Sequence, residues 1–167
     1  YIETFEFADG STRTAAEFTS IITGTSASET LEGTSGPDTM YGLGGKDRLY
    51  GGAGPDVLDV GPGSIGMQYA VGEGGDDTYI YSKTYGKLFI DPRFEGASDG
   101  VADKVVFTDL NYEDLEIDYK DYGDERGNAI RLRWNDGSSS GELRIGQEGQ
   151  YIETFEFADG STRTAAE

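Results

Sequence analysis

The chain of 167 residues contains no cysteine and no histidine. Those two absences remove disulfides, thiolate nucleophiles, imidazole general bases and nearly all zinc, copper and iron chemistry. Oxygen ligands remain, and they suit hard cations such as calcium. The redox compartment stays open, because a reducing cytosol and a cysteine-avoiding secreted protein both allow this composition. Basic residues are scarce as well: 13 Lys and Arg stand against 32 Asp and Glu, a formal net charge of -19. A chain this acidic repels nucleic acid and anionic membrane surfaces, since both need a cationic face. Two explanations of the charge stand. One is a merely soluble surface; the other is a chain whose missing counter-ion is a metal cation. No apolar run approaches eighteen residues and no basic-plus-apolar leader opens the chain, so neither a membrane span nor a signal peptide is expected. The first residue is Tyr1, which suggests a piece of something longer.

Apolar content is low at 35%, while glycine is abundant, with 26 residues. Much of that glycine is periodic. "YIETFEFADGSTRTAAE" occupies 1–17 and returns, letter for letter, at 151–167, an offset of 150. A tandem array with that period explains the identity, and a copied segment is the alternative. A shorter period lies inside the long one. From Gly24 four nonapeptides follow without a gap: "GTSASETLE", "GTSGPDTMY", "GLGGKDRLY" and "GGAGPDVLD". Their sixth residues are Glu29, Asp38, Asp47 and Asp56, and their eighth are Leu31, Met40, Leu49 and Leu58. "GEGGDDTYI" at 72–80 restores the pattern with Asp77 and Tyr79 after three extra residues, and "GVADKVVF" at 100–107 is a fainter echo carrying Asp103.

This spacing resembles the RTX, or haemolysin-type calcium-binding, repeat G-G-x-G-x-D-x-U-x. The resemblance covers 24–59 strongly and 72–80 well, and the segment 104–166 is similar to the β-rich domain that often follows such repeats. It implies a parallel β-roll in which six residues turn, three form a strand, and two nonapeptides complete a coil. Leu31 then stacks on Leu49 and Met40 on Leu58, while Glu29 faces Asp47 and Asp38 faces Asp56. The implied cofactor is Ca2+, held by Glu29, Asp38, Asp47, Asp56 and Asp77 with backbone carbonyls of Gly33, Gly36, Gly42, Gly44, Gly45, Gly51, Gly52 and Gly54. Such a set supplies the six to eight oxygens that calcium takes. Without the ion, stacked acids repel; with it, binding adds folding free energy. Glu29 and Ala27 depart from the repeat, so the Glu29–Asp47 pair is expected to be the poorer site. Asp38–Asp56, both in G-P-D turns, is expected to fill first. Ile65, eighteen residues after Asp47, cannot be a ligand, so that side of the ladder should end, whereas Asp56 can share an ion with Asp77 if the insertion loops outward.

The expected fold is all-β: a short parallel β-roll packed against a mainly antiparallel β domain, with one short capping helix. Residues 1–23 are assigned to the tail of a preceding unit plus that helix, 24–80 to the roll, and 81–167 to the β-rich domain. The helix is expected across "TAAEFTSII" at 14–22, with Thr14 and Glu17 as a capping box, and a plain linker strand is the alternative. Beyond residue 78 the apolar period becomes two, and "TYIYS", "KLFID", "KVVF", "LEIDY", "AIRLRW", "ELRIG" and "YIETFEF" are expected strands. Tyr79, Tyr81, Phe89, Phe107, Trp134, Phe155 and Phe157 are expected in a core, and "DYKDYGDERGN" at 118–128 in a solvated loop. Neither a triad nor a phosphate loop can be assembled, and acids in glycine turns are poor proton donors, so no enzyme activity and no catalytic residue are expected. A calcium-binding structural module of a large exported adhesin or toxin-like protein is the leading expectation, secreted or at the cell surface through type I secretion. Its partners would be calcium ions and neighbouring copies of the unit. A polysaccharide- or surface-binding module, or an accessory module of a secreted enzyme, is the alternative.

Overall fold

A computed structural model describes residues 4–14, 17–63, 66–91, 102–121, 128–146 and 152–164. Two parallel sheets wind around a common core, each built from every second strand. One contains β3 (Ser20–Thr23), β5 (Asp38–Tyr41), β7 (Val57–Asp59), β9 (Thr78–Tyr81) and β11 (Lys104–Phe107) in that order. The other contains β4 (Thr30–Glu32), β6 (Arg48–Ala53), β8 (Met67–Gly74) and β10 (Lys87–Ile90). Each sheet reaches seven strands by adding later elements. Strands β12 (Glu116–Asp121), β13 (Asn128–Asn135) and β14 (Ser140–Gly146) form an antiparallel meander whose β14 lies parallel to β10. The hairpin of β15 (Thr154–Glu156) and β16 (Thr162–Thr164) joins β11 through β15. Neither sheet breaks near residue 80; β10 and β11 continue the winding begun by the nonapeptides.

The repeat's aliphatic position explains this continuity. Leu31 lies opposite Leu49, and Met40 opposite Leu58, as the eighteen-residue coil requires. The two columns then run on past the nonapeptides. In one, Ile22, Met40, Leu58, Tyr79, Val105 and Phe155 follow one another through register. In the other the succession is Leu31, Leu49, Ala70, Ile90, Ile145 and Ile130. Side chains of alternate residues meet between the sheets, which is why the strands beyond 78 show a period of two. The core is a single apolar cluster from Met40 to Phe157. Tyr79, Tyr81, Phe89, Phe107, Trp134, Phe155 and Phe157 are all buried in the folded chain. The indole N–H of Trp134 donates to the Tyr81 hydroxyl at 3.2 Å, and that hydroxyl donates to the Gly86 carbonyl at 2.7 Å.

Two elements differ from the sequence expectation. The helix expected across 14–22 does not include Ser20–Thr23, which is strand β3, paired in parallel with β5. Ile21, Ile22 and Thr23 are β-branched, and the β5 edge offers backbone partners that a helix of two turns would leave unused. The capping contact is present: Glu17 Oε2 accepts from the Thr14 N–H at 2.6 Å and its hydroxyl at 3.0 Å, and 15–16 lies outside the described residues. At the other end, Asp118–Asp121 belongs to β12 rather than to a loop, and 122–127 lies outside the described residues.

The duplicated segment appears in two environments. Its first copy folds as β1 (Thr4–Glu6) and β2 (Thr12–Thr14), a two-stranded sheet of its own. Phe5 and Phe7 are 39% and 44% exposed, whereas Phe155 and Phe157 in the second copy are 6% and 4% exposed. Phe157 stacks on Phe107 with ring centroids 5.2 Å apart, and Tyr112 meets its edge at 5.8 Å. Truncation should therefore cost different amounts at identical sequence positions. Phe157→Ala is expected to lower stability by about 3–5 kcal/mol, and Phe7→Ala by less than about 1 kcal/mol, in denaturant unfolding of the calcium-saturated chain.

Candidate metal centre

The turns between the sheets carry the sixth-position acids, and the roll stacks them into two ladders. In the turns entering the first sheet, each carboxylate accepts the backbone N–H of the acid one coil earlier. Asp38 donates to Asp56 Oδ1 at 2.8 Å, Asp56 to Asp77 Oδ1 at 2.8 Å, and Asp77 to Asp103 Oδ1 at 2.7 Å. Asp103 in turn donates to Glu153 Oε2 at 2.8 Å. On the opposite side Glu29 donates to Asp47 Oδ1 at 2.9 Å. The expected facing pairs are thus brought together. Glu153 was not foreseen, because fifty residues of non-repetitive chain separate it from Asp103 and no period points to it.

The second ladder runs from Glu29 to Asp47, and the residue level with Asp47 on the next coil is an amide. Arg48 in β6 pairs with Tyr69, twenty-one residues on, so Gln68 stands opposite Asp47, and its Oε1 has no hydrogen-bond partner. Gly45 still bridges to Gly63, eighteen residues on, so the three inserted residues are absorbed between Gly63 and Gln68. Gln68 is fully buried, and its Nε2 donates to the Gly61 carbonyl at 2.9 Å. Ile65 lies outside the described residues. The insertion leaves the other ladder in register, and Asp56 reaches Asp77.

These acids are buried: Asp38, Asp47, Asp56 and Asp77 are each at most 1% exposed. Asp38 Oδ1, Asp47 Oδ2 and Asp56 Oδ2 have no hydrogen-bond partner. Burial pushes the Asp56 carboxyl up to about 7, with the charges of Asp38 and Glu73 adding to it and the Asp38 N–H opposing. Burial likewise raises Asp47, the Glu29 N–H opposes, and the Glu29 charge adds. Anionic oxygens without partners inside a fold mark a place for a cation. The donor set, carboxylates and backbone carbonyls only, suits calcium. No group of three acidic side chains converges among the described residues, so a cation here would draw most of its shell from turn carbonyls.

Glycine at the first repeat position lets the acid fold back. A Cβ on Gly33 would lie 2.8 Å from Asp38 Oδ2, and one on Gly42 would lie 2.9 Å from Asp47 Oδ2. At Gly51 and Gly72 it would collide with Asp56 and Asp77 themselves. The turns then fall into two kinds. In the first two repeats threonine holds one oxygen of the acid: Thr25 donates to Glu29 Oε2 through its N–H at 2.5 Å and its hydroxyl at 2.9 Å. Thr34 does the same for Asp38 Oδ2, at 2.6 and 3.0 Å. In the turns at 42–47, 51–56 and 72–77 no hydroxyl stands there, and the backbone is left-handed at positions two and four. The angles are φ 67° and 121° at Leu43 and Gly45, 104° and 105° at Gly52 and Gly54, and 76° and 132° at Glu73 and Gly75. Gly52 pairs with Glu73 in register, so two turns of this second kind lie on adjacent coils.

Residues 23–58 match the family model described as the RTX calcium-binding nonapeptide repeat, in four copies. The match falls on the four nonapeptides and supports a calcium-binding repeat module there. A comparison with curated proteins finds no match.

A carboxyl raised by folding stabilises the folded state fully below its ordinary value of 3.8, and that contribution is lost as pH rises through about 7. In chelator the fold should therefore be less stable at pH 8 than at pH 5. Asp56→Asn should flatten this difference and raise metal-free stability at pH 8 by about 1–3 kcal/mol, because its amide carries no buried charge. Thermal melts at the two pH values measure both effects. A wild-type and variant with parallel pH dependence would remove Asp56 as its source.

Proposed function

We propose that this module is a calcium-folded structural unit, repeated with a period of 150 residues along a large exported protein of adhesin or toxin-like type. The observation that carries the calcium part is the set of buried carboxylate oxygens without partners in the repeat turns, at Asp38, Asp47 and Asp56. The first ion belongs between the turns 51–56 and 72–77, with Asp56 and Asp77 as its acids and the carbonyls of Gly51, Gly52 and Gly54 as further donors. Adjacency of two threonine-free, left-handed turns favours this pair over Asp38–Asp56, where Thr34 already holds one oxygen. Asp47, with carbonyls of Gly42, Gly44 and Gly45, serves a second ion. Glu29, Asp38, Gly33 and Gly36 take a supporting part, since Thr25 and Thr34 compete for the acids. Calcium supplies the positive charge that a column of buried anions requires.

Export fits this chemistry. A chain with a net charge of -19 and a metal-dependent core stays open where calcium is scarce and closes where it is plentiful. The exact duplication of 1–17 at 151–167 supports the array. No helix among the described residues is long and apolar enough to cross a membrane.

Calcium should bind with a dissociation constant of about 10⁻⁴ to 10⁻³ M, as extracellular modules do. In calorimetry Asp56→Ala and Asp77→Ala should each abolish the tightest site, while Glu29→Ala leaves it. Far-UV circular dichroism in chelator should show loss of β-signal. Trp134 fluorescence should change with it, because Trp134 shares the apolar cluster with Leu58 and Tyr79. Native spectra in chelator would overturn metal-coupled folding.

A further inference from the structure

We propose that the N-terminal hairpin, together with Phe18, docks on a second copy of this module, taking the place on β11 that residues 154–164 occupy here. The two copies of the hairpin are congruent. Thr4 pairs with Thr14 and Phe5 with Arg13, as Thr154 does with Thr164 and Phe155 with Arg163. Both turns close with the same bonds: Phe7 N–H to the Ser11 carbonyl at 2.9 Å, and Phe157 N–H to Ser161 at 2.9 Å. Gly10 and Gly160 have φ of 82° and 80°. The hairpin therefore arrives preformed, and the cost of docking is the release of the resident hairpin rather than the ordering of the incoming one.

What covers its apolar face is visible in the same molecule. The second copy lays β15 along β11, Val105 opposite Phe155, and buries Phe155 and Phe157 against Phe107. Glu156 reaches Lys104 at 3.8 Å, and the Arg163 guanidinium lies 5.1 Å from the centre of the Tyr112 ring. The first copy presents the same groups, Phe5, Phe7, Glu6 and Arg13, with the phenylalanines exposed. Their present cover is Phe18, whose ring lies 5.0 Å from Phe5 and 6.4 Å from Phe7.

Phe18 has a seat as well. Beside Phe155 and Phe157 a groove of about 190 Å³ opens between the sheets, lined also by Tyr112, Ile117, Tyr119 and Leu132. Ile117 and Tyr119 are 46% and 70% exposed. An incoming hairpin carries Phe18, packed on the same two phenylalanines, into this apolar mouth. Because β15 holds the β11 edge in each copy, docking exchanges the resident hairpin for the incoming one; hairpin and β11 edge are different surfaces, so the exchange propagates as an open head-to-tail chain. This inference deepens the repeat-array proposal, but its test needs only the present chain, held in calcium throughout. Loss of calcium coupling would sink the metal proposal alone, and the outcomes below concern the docking alone.

The chain has no cysteine, so single introduced thiols report pairing cleanly. Thr4 is the counterpart of Thr154, the register partner of Lys104. Thr4→Cys chains mixed with mass-tagged Lys104→Cys chains should form a mixed disulfide that grows with protein concentration. It should exceed the pairing of Thr4→Cys with a Lys46→Cys control at least tenfold. Adding Phe5→Ala and Phe7→Ala to the Thr4→Cys chain should abolish the excess, and Phe18→Ala should reduce it several-fold. Phe155→Ala with Phe157→Ala in the Lys104→Cys chain should raise it at least tenfold by loosening the resident hairpin. If that double variant fails to fold, the otherwise unaltered pair decides. A mixed disulfide no more abundant than the control, or one indifferent to Phe5→Ala and Phe7→Ala, overturns the proposal.

Discussion

The structure depends on one hydrogen bond, made again and again: a turn carboxylate accepting the backbone N–H of the acid one coil away. It ties Asp38 to Asp56, Asp56 to Asp77, Asp77 to Asp103 and Asp103 to Glu153. Each bond fixes the register of two coils at the point where the chain passes from one sheet to the other. The same bond forces the acids inside, where water cannot reach them. Cohesion and electrostatic strain thus come from the same carboxylates.

Glycine makes that geometry available. The first-position glycines bring the backbone against the folded-back carboxylates of Asp38, Asp47, Asp56 and Asp77. Threonine at the second position then changes what holds the acid. Where Thr25 and Thr34 stand, hydroxyl and N–H hold one carboxylate oxygen, while Asp38 Oδ1 keeps no hydrogen-bond partner. Where Leu43, Gly52 and Glu73 stand, the backbone turns left-handed and the second position offers no threonine hydroxyl.

Much of the roll was legible in the sequence because its period is strict. The stacking of Leu31 on Leu49 and of Met40 on Leu58, and the facing of Glu29 with Asp47 and Asp38 with Asp56, follow from eighteen-residue coils. The aromatic core was legible from alternation. Three features were not. The strand β3 uses residues whose local pattern fits a helix, and its partner β5 is set by tertiary winding. The place of Gln68 level with Asp47 follows from where the insertion is absorbed, which spacing alone leaves open. Glu153 comes from far along the chain, and only the continuation of β11 into β15 brings it to the ladder.

The insertion between Gly63 and Gln68 has a further meaning. It sits between Asp47 and Gln68, and it leaves the opposite side in register. The opposite side absorbs extra length as well: Asp77 and Asp103 are twenty-six residues apart, and the rung between them still closes at 2.7 Å. The ladder therefore counts coils rather than residues. Residues added to either flank leave the acids beyond them stacked, so a module of this kind can lengthen its turns, with whatever they come to recognise, and keep its column of carboxylates.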